Sequence, residues 1–183
     1  MRDTKQEIIH FWFEETAPAQ WFQKNDEFDA LIASRFTSTY RMVADGVCDL
    51  WQDEPEGCLA LCIVLDQFPR NMFRGSPEAF ATDAKALRVA RHVLARGFDQ
   101  VIAPERRRFL YLPFEHSENI VDQDRSVTLF GALRDSDPVA YDYALRHRDV
   151  IVRFGRFPHR NAILGRQNTP EENEYLAQPG AGF

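Results

Sequence analysis

The best candidates for acid–base chemistry lie in the short segment 115–118, where a histidine occurs among acids. Carboxyl and imidazole groups can be tuned to accept and donate protons near neutral pH, so most general acids and bases are of these types. We predict that His116 and Glu118 are catalytic, together with Asp66 from a second polar segment. Helical spacing would place Gln123 on one face with His116, so Gln123 is predicted to bind the ligand. Buried polar groups need partners, so an internal hydrogen-bond network is the alternative to a site.

The second polar segment covers residues 66–71 and follows an apolar run. We predict that the helix carrying this run ends at Asp66, because Pro69 disfavours helical geometry in the residue before it. A carboxylate at a helix C-terminus faces the negative end of the helix dipole, so Asp66 needs a cationic partner or a cation to bind. The alternative is that Arg70 pairs with Asp66 to hold a loop. The predicted ligand-binding residues here are Gln67, Arg70 and Asn71.

A third segment, residues 153–166, is rich in arginine, and no acid occurs between Asp149 and Glu171. The guanidinium fork of arginine suits carboxylates and phosphates. The predicted ligand-binding residues of this segment are Arg156, His159, Arg160 and Asn161. The alternative is that these arginines pair with acids of the first two segments. Both roles can hold together, because a paired arginine can still present free donors to a ligand.

Several kinds of site and partner are not expected. The sequence has no GxSxG, GxxxxGK[ST], GxGxxG or HExxH motif, and no recognised spacing supports metal binding by Glu115, His116 and Glu118, so we predict no metal and no cofactor. The formal charge of −6 argues against nucleic acid as a partner. No signal peptide or membrane-spanning run is recognisable. The three cysteines form no CxxC motif, so a cytoplasmic location is expected, with the oligomeric state left open.

The elements that must position these residues are predicted to be helices. Helix starts are marked by Asn25, by Asp137 before a proline, and by Thr169 before another proline. A helix from Pro104 is expected to end before Pro113, and Ser117 to cap the next helix. The run 58–65 is apolar on every side, so we predict that it forms a buried central helix.

These elements predict an all-α protein of about eight helices. Because no linker divides the chain, we predict a single domain over residues 1–183. Residues 178–183 are expected to form a flexible tail. The alternative is that the tail, which ends in an aromatic residue with a carboxylate, folds back onto the arginine-rich segment.

Three blocks of the sequence resemble the signature blocks of a bacterial family, domain-of-unknown-function family nine-two-four: LALCIVLDQFPRNMFRG, YLPFEHSENIVDQ and RFGRFPHRNAILGR. The resemblance covers nearly the whole chain. It implies a fold similar to that of tetratricopeptide proteins, with antiparallel helical hairpins stacked as a superhelix. No repeat of the period expected for such proteins, about 34 residues, is visible in the sequence itself. The family has no established activity, so the resemblance informs the fold and not the chemistry.

Three hypotheses about function follow. The first is a pocket for a small anionic molecule, formed by segments 66–71, 115–123 and 153–166, with hydrolysis or proton transfer as its reaction. The second is a tetratricopeptide-like module that binds a peptide or protein and has no catalytic activity; it rests on fold analogy alone. The third is a salt-bridge network without a pocket. Whether the protein is an enzyme stays open at this point.

Overall fold

The computed structural model describes residues 4–182, and its regular structure is helical throughout that range. No strand occurs among these residues, which confirms the predicted all-α class. The α-helices are α1 (Thr4–His10), α2 (Asp26–Ala44), α3 (Pro55–Cys62), α4 (Phe68–Met72), α5 (Asp83–Arg96), α6 (Pro104–Glu115), α7 (Ile120–Gly131), α8 (Pro138–Phe154) and α9 (Pro170–Leu176). Short 3₁₀ turns and two π-helical turns connect or extend them. None of the helices in 4–182 is both long enough and apolar enough to cross a membrane.

The chain forms two compact units. The first unit contains the described residues up to 74 together with residues 78–113. The second unit contains residues 75–77 and the described residues from 114 onward. The single domain over 1–183, the hairpin packing and the superhelix stay predictions.

The core of the first unit surrounds α3, whose residues from Gly57 to Cys62 are all buried. This confirms the prediction of a buried central helix. Gly57 is required at its start, because a Cβ there would lie 2.0 Å from the carbonyl oxygen of Trp51. Aromatic rings fill the space beside the central helix: Phe11, Trp12, Phe28, Phe36, Phe68 and Phe109.

The prediction that this helix ends at Asp66 is wrong. The helix continues through the π-helical turn Ile63–Gln67 into α4, and Phe68, the residue before Pro69, has helical angles. The proline is tolerated because the carbonyl that would accept its missing N–H has another donor. That carbonyl belongs to Leu65 and accepts a hydrogen bond of 2.6 Å from the hydroxyl of Thr82. A partner distant in sequence thus removes the helix-breaking effect.

In the second unit, α7 packs along α8, and residues after α8 complete the core. Phe157 is fully buried with Val150 and Ile151, and the ring of Phe154 lies 5.2 Å from that of Tyr175 in α9. The predicted caps Asp137 and Thr169 are confirmed by hydrogen bonds from their own helices, as is Asn25 in the first unit.

Candidate functional site

The turn between α6 and α7 positions His116, and its boundaries differ from those predicted. Helix α6 runs past Pro113 to Glu115, and α7 is capped by Asn119 rather than by Ser117. His116 therefore lies in the turn and does not share a helical face with Gln123. The prediction that His116 and Gln123 share one helical face is therefore wrong. It assumed that Ser117 caps α7, and the local sequence pattern does not show that Asn119 is the cap.

Gln123 has a positioning role that explains why α6 can extend. It is completely buried, and its Nε2 donates to the backbone carbonyls of Glu115 at 2.6 Å and Ser117 at 2.7 Å. These carbonyls lie at and just beyond the end of α6, where no helical N–H is available to them. Gln123 thus fixes the backbone on both sides of His116.

Glu115 and His147 form a buried pair within the second unit. The side chain of His147 comes from α8, and its Nδ1 lies 3.3 Å from Oε1 of Glu115. The same Nδ1 lies 2.8 Å from the carbonyl oxygen of Tyr143, so it carries the ring proton. Both side chains are less than a tenth exposed.

The surroundings keep His147 uncharged. Burial is the main cause that holds the pKa of His147 well below its usual value. Electrostatic interactions with His116, and more weakly with His159 and Arg160, lower the pKa further, while the hydrogen bond to the carbonyl of Tyr143 opposes them. His147 occurs at helical spacing with apolar neighbours, which is typical of a core residue, so the sequence alone does not distinguish it as a site residue.

Phe157 brings the arginine-rich segment to this pair. Its ring lies 5.5 Å from that of His147 and 5.6 Å from that of His159. The guanidinium carbon of Arg160 lies 4.6 Å above the centre of the Phe157 ring, and Arg160 is only 6 % exposed. The ring of His116 lies 6.1 Å from that of His147. We name the group Glu115, His116, His147, His159 and Arg160 the histidine–arginine cluster.

Glu118, predicted to be catalytic, is held by a different set of contacts. It accepts hydrogen bonds from both Nη atoms of Arg166 at 2.7 and 2.9 Å, and from the backbone N–H of Phe157 at 2.8 Å. Partial burial would raise the pKa of Glu118, but these hydrogen bonds outweigh it and hold the pKa below its usual value. In this arrangement Glu118 connects segments 115–123 and 153–166 as a carboxylate.

Arg156 and Asn161 contact the start of α9. Arg156 donates to the two carboxylate oxygens of Glu172 at 2.6 and 2.8 Å, and Asn161 Nδ2 lies 3.2 Å from the same group. The hydrogen bonds from Arg156 are the main cause that lowers the pKa of Glu172 to about 2. Glu172 also forms the capping box with Thr169, so this carboxylate joins the arginine-rich segment to α9.

The candidates of segment 66–71 lie in the first unit. Asp66 pairs with Arg70, as the alternative interpretation predicted, although the helix does not end there: Arg70 Nη1 lies 3.3 Å from its Oδ1 and donates to its backbone carbonyl at 2.6 Å. Arg70 also donates to both oxygens of Asp83. Gln67 donates to Asp66 at 2.6 Å, and Asn71 donates to a carboxylate of α2 at 2.7 Å. Each of these four side chains therefore has a protein partner.

The structure thus brings segments 115–123 and 153–166 together within the second unit, and it adds His147 and Glu172, which sequence analysis had not selected. The tail approaches the same region. The backbone of Gly182 packs against His159, where a Cβ would come within 2.9 Å of that side chain. Phe183, on which the fold-back alternative depends, lies outside the described residues.

Comparison with known proteins agrees with the fold. A solved structure of a protein of unknown function from Agrobacterium tumefaciens is 41 % identical, with a TM-score of 0.89, and the match covers 94 % of this chain and 96 % of that one. No match to a protein of curated function is found. A family model matches residues 8–180. The chain therefore belongs to the family described as bacterial protein of unknown function (DUF924).

Proposed function

We propose that this protein binds a small anionic molecule, with a carboxylate or phosphate group, at the histidine–arginine cluster. The observation that carries the proposal is the buried guanidinium of Arg160, which stacks on Phe157 beside three imidazoles. Gathering one permanent cation and several groups that can become cations in a water-poor place costs free energy. An anion that binds there would offset this cost.

The contacts of three arginines support this assignment. Arg156 and Arg166 form two-pronged ion pairs with Glu172 and Glu118. Arg160 stacks on the ring of Phe157 and also interacts electrostatically with Glu118. Stacking holds a guanidinium by its face, and an arginine that is held by other groups can still donate from its edge to a planar anion.

The reaction class that we propose is hydrolysis or proton transfer. Glu115 and His147 place a carboxylate and an imidazole in contact within the histidine–arginine cluster. Such a pair can relay a proton to or from a ligand oxygen. His116, next to Glu115 in the turn, keeps the catalytic role predicted for it.

The test uses two arginines of one segment that each lie over a phenylalanine ring. Arg160 is buried over Phe157, whereas Arg153 is exposed over Phe154 at 4.7 Å. Calorimetric titration with inorganic phosphate, and then with a panel of phosphoesters and carboxylates, should show binding to the wild type. The substitution Arg160→Met should weaken it by at least about tenfold, equivalent to about 1.4 kcal/mol, and Arg153→Met should leave it unchanged.

Equal binding by the wild type and both variants, or no binding of any member of the panel, would contradict the proposal. Urea unfolding of each variant shows whether a loss of binding arises from a loss of fold. The peptide-binding alternative rests on the family resemblance and stays a prediction. A pull-down that recovers one stable protein partner, released by no anion of the panel, would favour it.

We also propose that the protein works in a reducing compartment, the cytoplasm. Cys48, Cys58 and Cys62 are all buried free thiols. Burial raises the pKa of Cys58 to about 11, so this thiol is not activated for disulfide exchange. Fractionation of cells that carry a tagged chain would test the location, and recovery outside the cytoplasm would contradict it.

A further inference from the structure

We propose that Glu115, His116 and His147 form a binding site for a divalent transition-metal ion, with Zn²⁺ as the expected ion. One ligand atom from each of these residues lies within 4.8 Å of the others, among the described residues. Nothing in their sequence spacing indicates this, because His147 comes from α8 whereas the other two lie at the end of α6 and in the following turn. The inference goes beyond anion binding and does not depend on it.

The distances suit a first-row ion. Bonds of about 2 Å to nitrogen and oxygen place ligand atoms about 3 to 4 Å apart. The candidate ligand atoms of Glu115, His116 and His147 all lie within 4.8 Å of one another, and the rings of His116 and His147 are inclined at 58° rather than stacked flat. Small rotations of the side chains would bring the three ligand atoms around one ion.

The groups around these residues are those that commonly support metal ligands. His147 Nδ1 donates to the carbonyl of Tyr143, so in the neutral ring the lone pair lies on Nε2, which we assign as the ligand atom. Gln123 holds the carbonyl of Glu115 at 2.6 Å and so fixes the backbone from which two ligands project. Phe157 forms an apolar wall 5.5 Å from the His147 ring.

The donor set selects the ion. Two imidazoles and one carboxylate favour Zn²⁺ or Fe²⁺ over Mg²⁺ and Ca²⁺, which prefer oxygen ligands only. Three protein ligands leave a coordination position for water or substrate, as in catalytic zinc sites. The carboxylate of Glu115 supplies the negative charge that the ion needs close to Arg160. An anion bound by Arg160 would supply further negative charge near the ion.

The test starts from the full chain, cleared of metal with a chelator and titrated with Zn²⁺ near neutral pH. We expect one equivalent to bind. We expect His116→Ala to weaken binding by more than the factor of about 10 to 100 that changes around metal ligands usually cause. His116 is only partly buried, so this variant should fold, and circular dichroism checks that it does. The matched control is His10→Ala, which removes a histidine of the first unit and should leave Zn²⁺ binding unchanged.

Titration with Co²⁺ gives a second readout. Visible absorption bands of a four- or five-coordinate ion should appear in the wild type and be lost or shifted in Glu115→Gln. The proposal is overturned if the wild type binds less than a stoichiometric amount, or if His116→Ala binds Zn²⁺ as tightly as the wild type. Metal content of the chain as purified would show whether Zn²⁺, Fe²⁺ or another ion occupies the site in cells.

The two proposals fail separately. Arg160→Met should lose phosphate binding and keep Zn²⁺ binding. Phosphate binding by metal-free wild type together with absent Zn²⁺ binding overturns the metal site alone. Zn²⁺ binding by the wild type together with absent phosphate binding overturns the anion site alone.

Discussion

In the first unit the buried carboxylate of Asp66 faces a guanidinium, whereas in the second unit the buried carboxylate of Glu115 faces an imidazole. A guanidinium keeps its charge, so the Asp66–Arg70 pair, with Asp83 as the second acid, is a fixed part of the frame. An imidazole can change its charge or bind a metal, so the Glu115–His147 pair can respond to a ligand. The same kind of buried acid therefore serves stability in one unit and, in our proposal, function in the other.

The largest effect should come from breaking the pair in the first unit. We expect Arg70→Met to lower the free energy of unfolding by about 3 to 5 kcal/mol, because it leaves the carboxylate of Asp66 buried without its cation. Urea unfolding measures this change. Arg88→Met, on the exposed face of α5, is the control and should stay within about 0.5 kcal/mol of the wild type. A similar loss of stability in both variants would mean that the buried Asp66–Arg70 pair contributes no more to stability than an exposed arginine does.

An intermediate effect should follow from acid titration of the second unit. The pKa of Glu172 is lowered to about 2, so its native contacts stabilise the fold fully above its ordinary pKa of 4.5. That contribution is lost as the pH falls from about 4.5 through about 2, because the folded state must then take up a proton that the unfolded state binds more readily. Unfolding measured across this range should show stability falling with pH. The variant Glu172→Gln should show a shallower fall, and an unchanged slope would exclude this group as its cause.

The smallest effect should come from Glu115→Gln, which keeps the shape of the side chain and removes its charge. We expect the free energy of unfolding to change by less than about 1 kcal/mol, because the partner, His147, is neutral and leaves no unpaired cation. Zn²⁺ binding should nevertheless be strongly weakened. A loss of stability as large as that of Arg70→Met would show that the Glu115–His147 pair serves stability, as the Asp66–Arg70 pair does. The two units would then not differ in the role of their buried acids.

Much of the fold was predictable because it depends on neighbours along the chain. The caps at Asn25, Asp137 and Thr169 were found from sequence, since a capping side chain bonds to N–H groups only two or three residues ahead. The apolar run of the central helix also predicted its burial. The same local rules failed at Asp66, where the helix continues because Thr82 satisfies the carbonyl of Leu65.

The sequence predicted the types of residue in the candidate site, but it did not predict which individual residues form the site. Local patterns selected His116, His159 and Arg160, but Glu118 is paired with Arg166 and lies outside the histidine–arginine cluster. His147 was missed because its spacing with apolar neighbours is that of a core residue, and its contact with Glu115 arises only when α8 packs in the second unit.

The sequence by itself therefore determined the helical class, several helix starts, the buried central helix and the polar segments that carry chemistry. These depend on periodicity and on contacts between residues one or two turns apart. Only the tertiary structure decided that Glu115 faces a histidine and that Glu118 faces Arg166. These two pairs join residues far apart in the chain, whereas Asp66 and Arg70 are one helical turn apart. The charge state of each buried group depends on the partners and the burial that folding gives it.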